Sequence, residues 1–358
     1  MGSSVGANVG VSYTGSPAFA ATVNYLPEAN FYYRFNSEDN FVQKGLLTLK
    51  GGAGEWNWTQ ANTFNYVLGS SEGLYFGGPG GAPSIGGLPT RDRRAQFWYR
   101  GGLTANYVTG KWLFRPVCSL YFQDFFTEQH DTTLPQYRGY ENYIDRNDIN
   151  GGFDVGYTVA KNTRVLVGYR YGHQDQGALV NDPYQYDNRY QRALTGLEGT
   201  PAKWFKATLL VGADVRTFAD TTRPTFDRNP IVPYLDGLLT FLPTAQDTVV
   251  VGLKRFMQPA FASCAAYQDS TYELSYKHSF GPKFTLSAGF KAQQGLWSLP
   301  VLRNDWIYTP TGVLSYTYNR HLSAELSYLH DFTKSEIPNT AGREYTRNLA
   351  SLAVRWTL

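Results

Sequence analysis

The feature that most constrains this chain is a two-residue rhythm of apolar and polar side chains, clearest at its C-terminal end. Counting back from Leu358, Trp356, Val354, Leu352 and Ala350 alternate with Thr357, Arg355, Ala353 and Ser351. Successive strand side chains point to opposite faces, so this rhythm builds a ribbon with one greasy face and one wet face. The same pattern recurs upstream. Phe284, Leu286, Ala288 and Phe290 alternate with Thr285, Ser287, Gly289 and Lys291; Val165, Val167, Tyr169 and Tyr171 alternate with Arg164, Gly168, Arg170 and Gly172. A chain patterned this way along most of its length is all-β.

Turn dipeptides punctuate the ribbons. Short connections are expected near Gly51–Gly54, Thr109–Gly110, Lys161–Asn162, Gly199–Pro201, Pro243–Gln246, Gly281–Pro282 and Asn319–Arg320, where Gly and Asn tolerate positive φ and Pro fixes it. Longer polar connections alternate with them, near Ser70–Asp92, Glu128–Asn142, Asp175–Gln185, Ala219–Asn229, Gln258–Ser263, Ser298–Arg303 and Lys334–Arg343. Alternating short and long connections predict an up-and-down antiparallel meander of about sixteen strands, within about fourteen to eighteen. The first ~35 residues fit worst, because Pro17 and Pro27 interrupt the pattern. Gln60 and Asn62 also fall on a face that should be apolar.

Composition decides what lies on either side of such a sheet. Aromatic residues make up 16% of the 358 residues and charged residues only 17%, yet mean hydropathy is −0.37. A transmembrane β-barrel reconciles these values: its outside is apolar and aromatic, its lumen and loops polar. No stretch reaches the ~20 apolar residues of a membrane helix, which leaves barrel strands unaffected. The expected organisation is a single barrel domain over residues 1–358, with 1–35 as N-terminal segment and first strand. The start MGSSVGANVG has no basic leader followed by an apolar run, and reads as a mature chain. Trp56, Trp58, Trp98, Trp112, Trp204, Trp306, Tyr308 and Trp356 fall near predicted strand ends, as interfacial girdles do.

With the apolar face toward lipid, the opposite face lines a lumen. The predicted pore-lining residues are Arg100, Arg115, Arg164, Arg170, Lys206, Asp214, Arg216, Lys254, Glu273, Lys291, Glu325 and Arg355, together with Asp154, Asp236, Lys277 and Lys283. Both signs in one bore order water, and the basic excess favours anions mildly. The alternative is that these charges pair across strands and only satisfy each other. The glycine-rich GGPGGAPSIGG within Ser70–Asp92 lacks the strand, helix and GK[ST] of a phosphate cradle. It is expected to fold inward as a constriction, or to pack on the surface. The tyrosine-rich loops around Tyr137–Asp148 and Tyr184–Tyr190 suit either saccharide stacking or a rigid cap over strand ends.

No catalytic, cofactor or metal site is expected. The five histidines form no HxxxH or HExxH motif, and His278–Ser279 and His330–Asp331 point to opposite faces. Cys118 lies on the apolar face with Trp112 and Phe122; a disulfide to Cys264 is the alternative to a plain small hydrophobe. A net charge of +3 and no basic helix exclude nucleic acid as the expected partner.

The alternation, the turns, the terminal strand and repeated units such as Gly151–Tyr157 leading to Val165–Tyr171 and Tyr272–Tyr276 leading to Phe284–Phe290 resemble Gram-negative outer-membrane porins. Within them the chain is similar to the β-barrel porins associated with exopolysaccharide loci. It departs from the usual aromatic terminus, ending in Leu358 with Trp356 two before it. The resemblance implies residence in the cell outer membrane among lipid and lipopolysaccharide and passive diffusion of small hydrophilic solutes or saccharides; the sequence leaves open whether the barrels assemble as a homotrimer. Two alternatives are a polysaccharide export conduit and a structural or adhesive barrel with a blocked pore. A soluble propeller would need WD or kelch repeats, which are absent.

Overall fold

The computed structural model describes residues 2–16, 18–32, 39–68, 95–137, 142–261, 264–297, 302–336, 344 and 346–356. These residues form one antiparallel sheet of eighteen strands, and their only helical element is a 3-10 turn at Pro135–Tyr137. The first five strands are β1 (Gly2–Gly6), β2 (Val9–Ser16), β3 (Phe19–Tyr32), β4 (Asn40–Ala53) and β5 (Trp56–Leu68). Next come β6 (Gln96–Thr109), β7 (Trp112–Phe125), β8 (Arg146–Ala160), β9 (Thr163–Gln176), β10 (Asn188–Ala202) and β11 (Phe205–Phe218). The last seven are β12 (Ile231–Phe241), β13 (Asp247–Pro259), β14 (Ala266–Phe280), β15 (Phe284–Trp297), β16 (Arg303–Thr317), β17 (Leu322–Ser335) and β18 (Thr346–Trp356). From β3 onward each strand pairs with the next, as an up-and-down meander requires. Among the described residues no register joins β18 to β1 or β2, so the sheet is open along that seam.

The N-terminal disturbance has a local cause. β1 and β2 are two pieces of one ribbon laid along β3, and the break between them lies beside Pro27. Pro27 has no N–H to donate, and its carbonyl instead accepts the Ala7 N–H at 3.1 Å. On its other side β3 continues unbroken, with Pro27 opposite Gln43. Elsewhere the turn residues close the hairpins as their chemistry demands. Gly54 and Gly110 open two-residue loops at φ 60° and 57°, a conformation that side chains resist. One expected turn is displaced: Gly199–Pro201 is a bulge within β10, and the chain reverses at Lys203–Trp204. Pro201 fits there because a bulge leaves an N–H unpaired.

Strands from β3 to β17 are mostly 13 to 15 residues long. Their convex face carries Trp112, Phe122, Phe153, Tyr157, Val167, Tyr171, Leu274, Phe290, Leu326 and Tyr328, all exposed. Aromatic rings gather at the turn end, where Trp56 meets Tyr107 at 5.0 Å, Trp112 meets Tyr157 at 4.9 Å and Phe205 meets Phe241 at 4.8 Å. A second group lies nearer the loops, with Tyr99 beside Phe122 and Trp306 stacked on Tyr308. From Trp112 to Phe122 is ten residues of tilted strand, or roughly 25 Å along the barrel axis, the height of an outer-membrane apolar band. Trp98 departs from the expected girdle: it shares a face with Gln96 and sits opposite Asn65 and Gln123 on the concave side.

The polar pair Gln60 and Asn62 does lie on the convex face, and Tyr99 covers it. Its hydroxyl donates to Asn62 Oδ1 at 2.7 Å while Gln60 donates to the same oxygen at 3.4 Å. The ring packs over Gly101, where an added Cβ would lie 2.5 Å from the tyrosine hydroxyl. Tyr99→Phe strands a buried amide oxygen with one weak donor. It should lower stability by about 1 kcal/mol in urea titrations of the micelle-bound protein; an unchanged midpoint would contradict this account.

Candidate functional site

The concave face is polar, and its charges meet across strands. All twelve predicted lining residues lie on it. Arg115 lies opposite Asp154 in the β7–β8 register, and Arg170 pairs with Asp154 at 2.7 Å from β9. Arg170 stands opposite Arg192, and Arg192 opposite Asp214, to which it donates at 2.6 and 2.9 Å. Arg216 closes the row on the same carboxylate at 2.9 Å. Glycines make this row possible: an added Cβ at Gly168 would lie 2.1 Å from the Asp154 carboxylate. Further round, Lys254 reaches Asp236 at 3.9 Å and Lys291 reaches Glu273 at 3.5 Å. Arg164 lies 3.7 Å from Glu198, and Arg100 lies over the Tyr121 ring. Lys206 and Arg355 are exposed on this face, and Glu325 accepts a 3.4 Å hydrogen bond from Ser315.

Several residues that complete the row were not anticipated. Arg192 and Glu198 lie on β10, where Arg189, Tyr190, Gln191 and Arg192 put polar atoms on both faces and hide the rhythm. Arg146 lies in a stretch that reads as loop but opens β8. Tyr190 and Tyr234 supply ring faces: Arg192 lies 3.5 Å from the Tyr234 centroid and Arg216 lies 4.8 Å from that of Tyr190. Such stacking suits the weakly hydrated guanidinium once it leaves water.

The loop end of this wall is capped. The β12–β13 ladder stops at Leu235–Arg255, whereas β13 and β14 stay paired up to Pro259–Ala266. The β13–β14 tip thereby leaves its neighbour and crosses the concavity to β8, β9 and β11. Arg216 and Gln174 donate to the Met257 carbonyl at 2.8 and 3.3 Å, Arg146 to that of Pro259 at 2.7 Å, and Gln176 to that of Ala260 at 2.7 Å. Loop side chains pack over the tip: Ile144, Tyr186, Phe218, Phe226, Val232, Met257 and Cys264 form one buried apolar cluster. Tyr143 stacks on Phe125 and meets Phe261 at a tilt beside it. Tyr143, Tyr186 and Tyr190 are thus packed away rather than offered as stacking surfaces. The glycine-rich 70–92 segment, expected as the constriction, lies outside the described residues.

Cys118 is exposed on the convex face and Cys264 is buried in the cap, and both are free thiols. Burial pushes the Cys264 thiol up to about 12. Burial likewise raises the Asp145 and Asp187 carboxyls above the ordinary 3.8, opposed by the backbone N–H groups of Phe125 and Gln176 that they accept at 2.8 and 2.7 Å. Among the described residues no His, Cys, Asp and Glu group could hold a metal ion, and no helix is long and apolar enough to cross a membrane.

No protein-family model and no curated protein matches the chain. Among solved structures, it is similar to the FrpB iron transporter from Neisseria meningitidis (F5-1 variant), with TM-score 0.51 and 12% identity over 98% of this chain and 66% of that one. It is also similar to the ferric yersiniabactin uptake receptor FyuA from Yersinia pestis, with TM-score 0.47 and 12% identity over 100% and 65%. A third is the alcaligin outer membrane receptor FauA from Bordetella pertussis, with TM-score 0.46 and 14% identity over 100% and 64%. The chain spans about two thirds of the length of these structures. At such identity the likeness to the iron transporter is one of fold alone, an all-β antiparallel meander.

Two consequences follow for stability. Asp214→Ala leaves two buried guanidiniums without their shared counter-ion and should cost about 3–5 kcal/mol, while Glu28→Ala, at the half-exposed Lys44 pair, should cost under about 1 kcal/mol; urea unfolding in micelles separates them. The raised Asp145 and Asp187 groups hold protons that the unfolded loops release above 3.8. The cap is therefore firmest below that value and loosens as pH rises through the raised values. Amide-exchange protection over 142–145 and 177–187 should fall with rising pH and become flat in Asp145→Asn/Asp187→Asn.

Proposed function

We propose that the chain spans the outer membrane as a channel for small hydrophilic solutes, with the inward β13–β14 tip as its constriction. One observation carries this reading: the division of the sheet into an exposed apolar and aromatic convex face and a charged concave face. Water on both sides would leave the convex face as a very large unpaired apolar surface, which monomeric soluble proteins avoid. Hydrocarbon outside and water inside suit both faces at once. A fold shared with an iron transporter agrees with a role in transport. The excess of basic residues on the wall supports a mild preference for anions.

A barrel whose pore is blocked is the second reading, favoured by the apolar cap. Two measurements decide between them. The purified chain should require micelles to stay folded and should migrate as a heat-modifiable species; a native monomer in plain buffer overturns both readings. In planar bilayers the wild type should conduct weakly. Arg146→Met/Gln176→Met removes two tethers to the tip, and should raise single-channel conductance and speed alkylation of Cys264. Faster alkylation with no conductance would favour the blocked barrel.

A further inference from the structure

Below the charged row, at the turn end of the concave face, lies a cavity of about 740 Å³. The hairpin turns build its floor. Asn162, at φ 59°, gives its carbonyl to the Thr200 N–H at 2.7 Å, which draws the β10 bulge onto the β8–β9 turn. Arg164, Lys206 and Glu198 line the walls with the hydroxyls of Thr158, Thr208 and Thr240.

The charge balance of this space is uneven. Glu198 is already engaged by Arg115, whose Nη2 donates to both carboxylate oxygens at 2.7 and 2.8 Å. Arg164 reaches the same carboxylate only at 3.7 Å and the Thr158 hydroxyl at 3.4 Å, so most of its fork is unspent. Lys206 has no ion-pair partner among the described residues. The lining thus carries two cations and one carboxylate, and that carboxylate is already bound by Arg115 from outside the cavity. The lining holds no aromatic ring, so the cavity lacks the stacking platform that neutral sugars use. Guanidinium fork, ammonium and threonine hydroxyls together match an anionic group on a polyol, and the volume lies in the range of small-molecule sites.

We propose that this turn-end cavity binds a small hydroxylated anion, a sugar carboxylate or sugar phosphate, with Arg164 and Lys206 on the acid group and the threonines on the hydroxyls. The inference deepens the channel reading, on which the solute's route depends, although binding itself needs no conduction. The test is calorimetric titration of the folded, micelle-bound chain with glucuronate, glucose 6-phosphate and glucose, repeated as current block in planar bilayers. Glucuronate or glucose 6-phosphate should bind and glucose should not; the stronger of the two anions assigns the acid group. Arg164→Gln/Lys206→Gln should weaken that binding about tenfold or more. Arg320→Gln, which removes one charge from the β16–β17 turn of the same rim, should leave it unchanged. Arg164→Lys should fall between, because it keeps the charge and loses the fork. Equal binding of glucose, or equal loss in Arg320→Gln, overturns the site in favour of general rim electrostatics. Binding without conductance upholds the site and removes the channel; conductance without binding does the reverse.

Discussion

Side-chain alternation ties the two faces of this sheet together. Every apolar residue committed to the convex face puts its neighbours on the concave one, and no strand can change one face without the other. Trp112, Phe114 and Phe122 outside therefore come with Leu113, Arg115 and Gln123 inside. Two kinds of surface result, with opposite solvent requirements, and the chain meets both by curving one sheet rather than stacking two.

Curvature has an electrostatic consequence. Charges three strands apart come within reach, as when Arg115 of β7 meets Glu198 of β10. The row from Asp154 to Arg216 is buried enough that each member depends on its partner. It stands on small residues as much as on charged ones, since Gly168 and Gly172 leave room for Asp154 and Tyr190. The wall is therefore largely self-paired, and Arg164 and Lys206 near the turns are among the charges that pairing leaves unspent.

The cap shows how a regular meander acquires a closed end. Where β12 and β13 part, the β13 backbone loses one ladder neighbour, and side chains from the far wall take over its carbonyls. Backbone acceptors leave the wall only where other donors await them. Arg146, Gln174, Gln176 and Arg216 supply those donors, and the apolar loop cluster above excludes water from the bonds. Asp145 and Asp187 stand at the edge of that dry region, which is why burial governs their protonation.

The sequence by itself determined the strand period, the polar and apolar faces, the alternation of short and long connections, and so the meander. Each is a local property, set by side-chain direction and by turn residues such as Gly54 and Gly110. Even its local exceptions were visible: Pro27 marked the break between β1 and β2, and Gln60 and Asn62 marked a polar spot outside. Only the tertiary structure decided which charge meets which, that Tyr99 covers Asn62, that Trp98 turns inward, and that the β13–β14 tip leaves β12 and crosses the concave face. Those outcomes depend on register and curvature across strands as far apart in sequence as Arg146 and Pro259, and a two-residue rhythm carries no information about distance across a sheet.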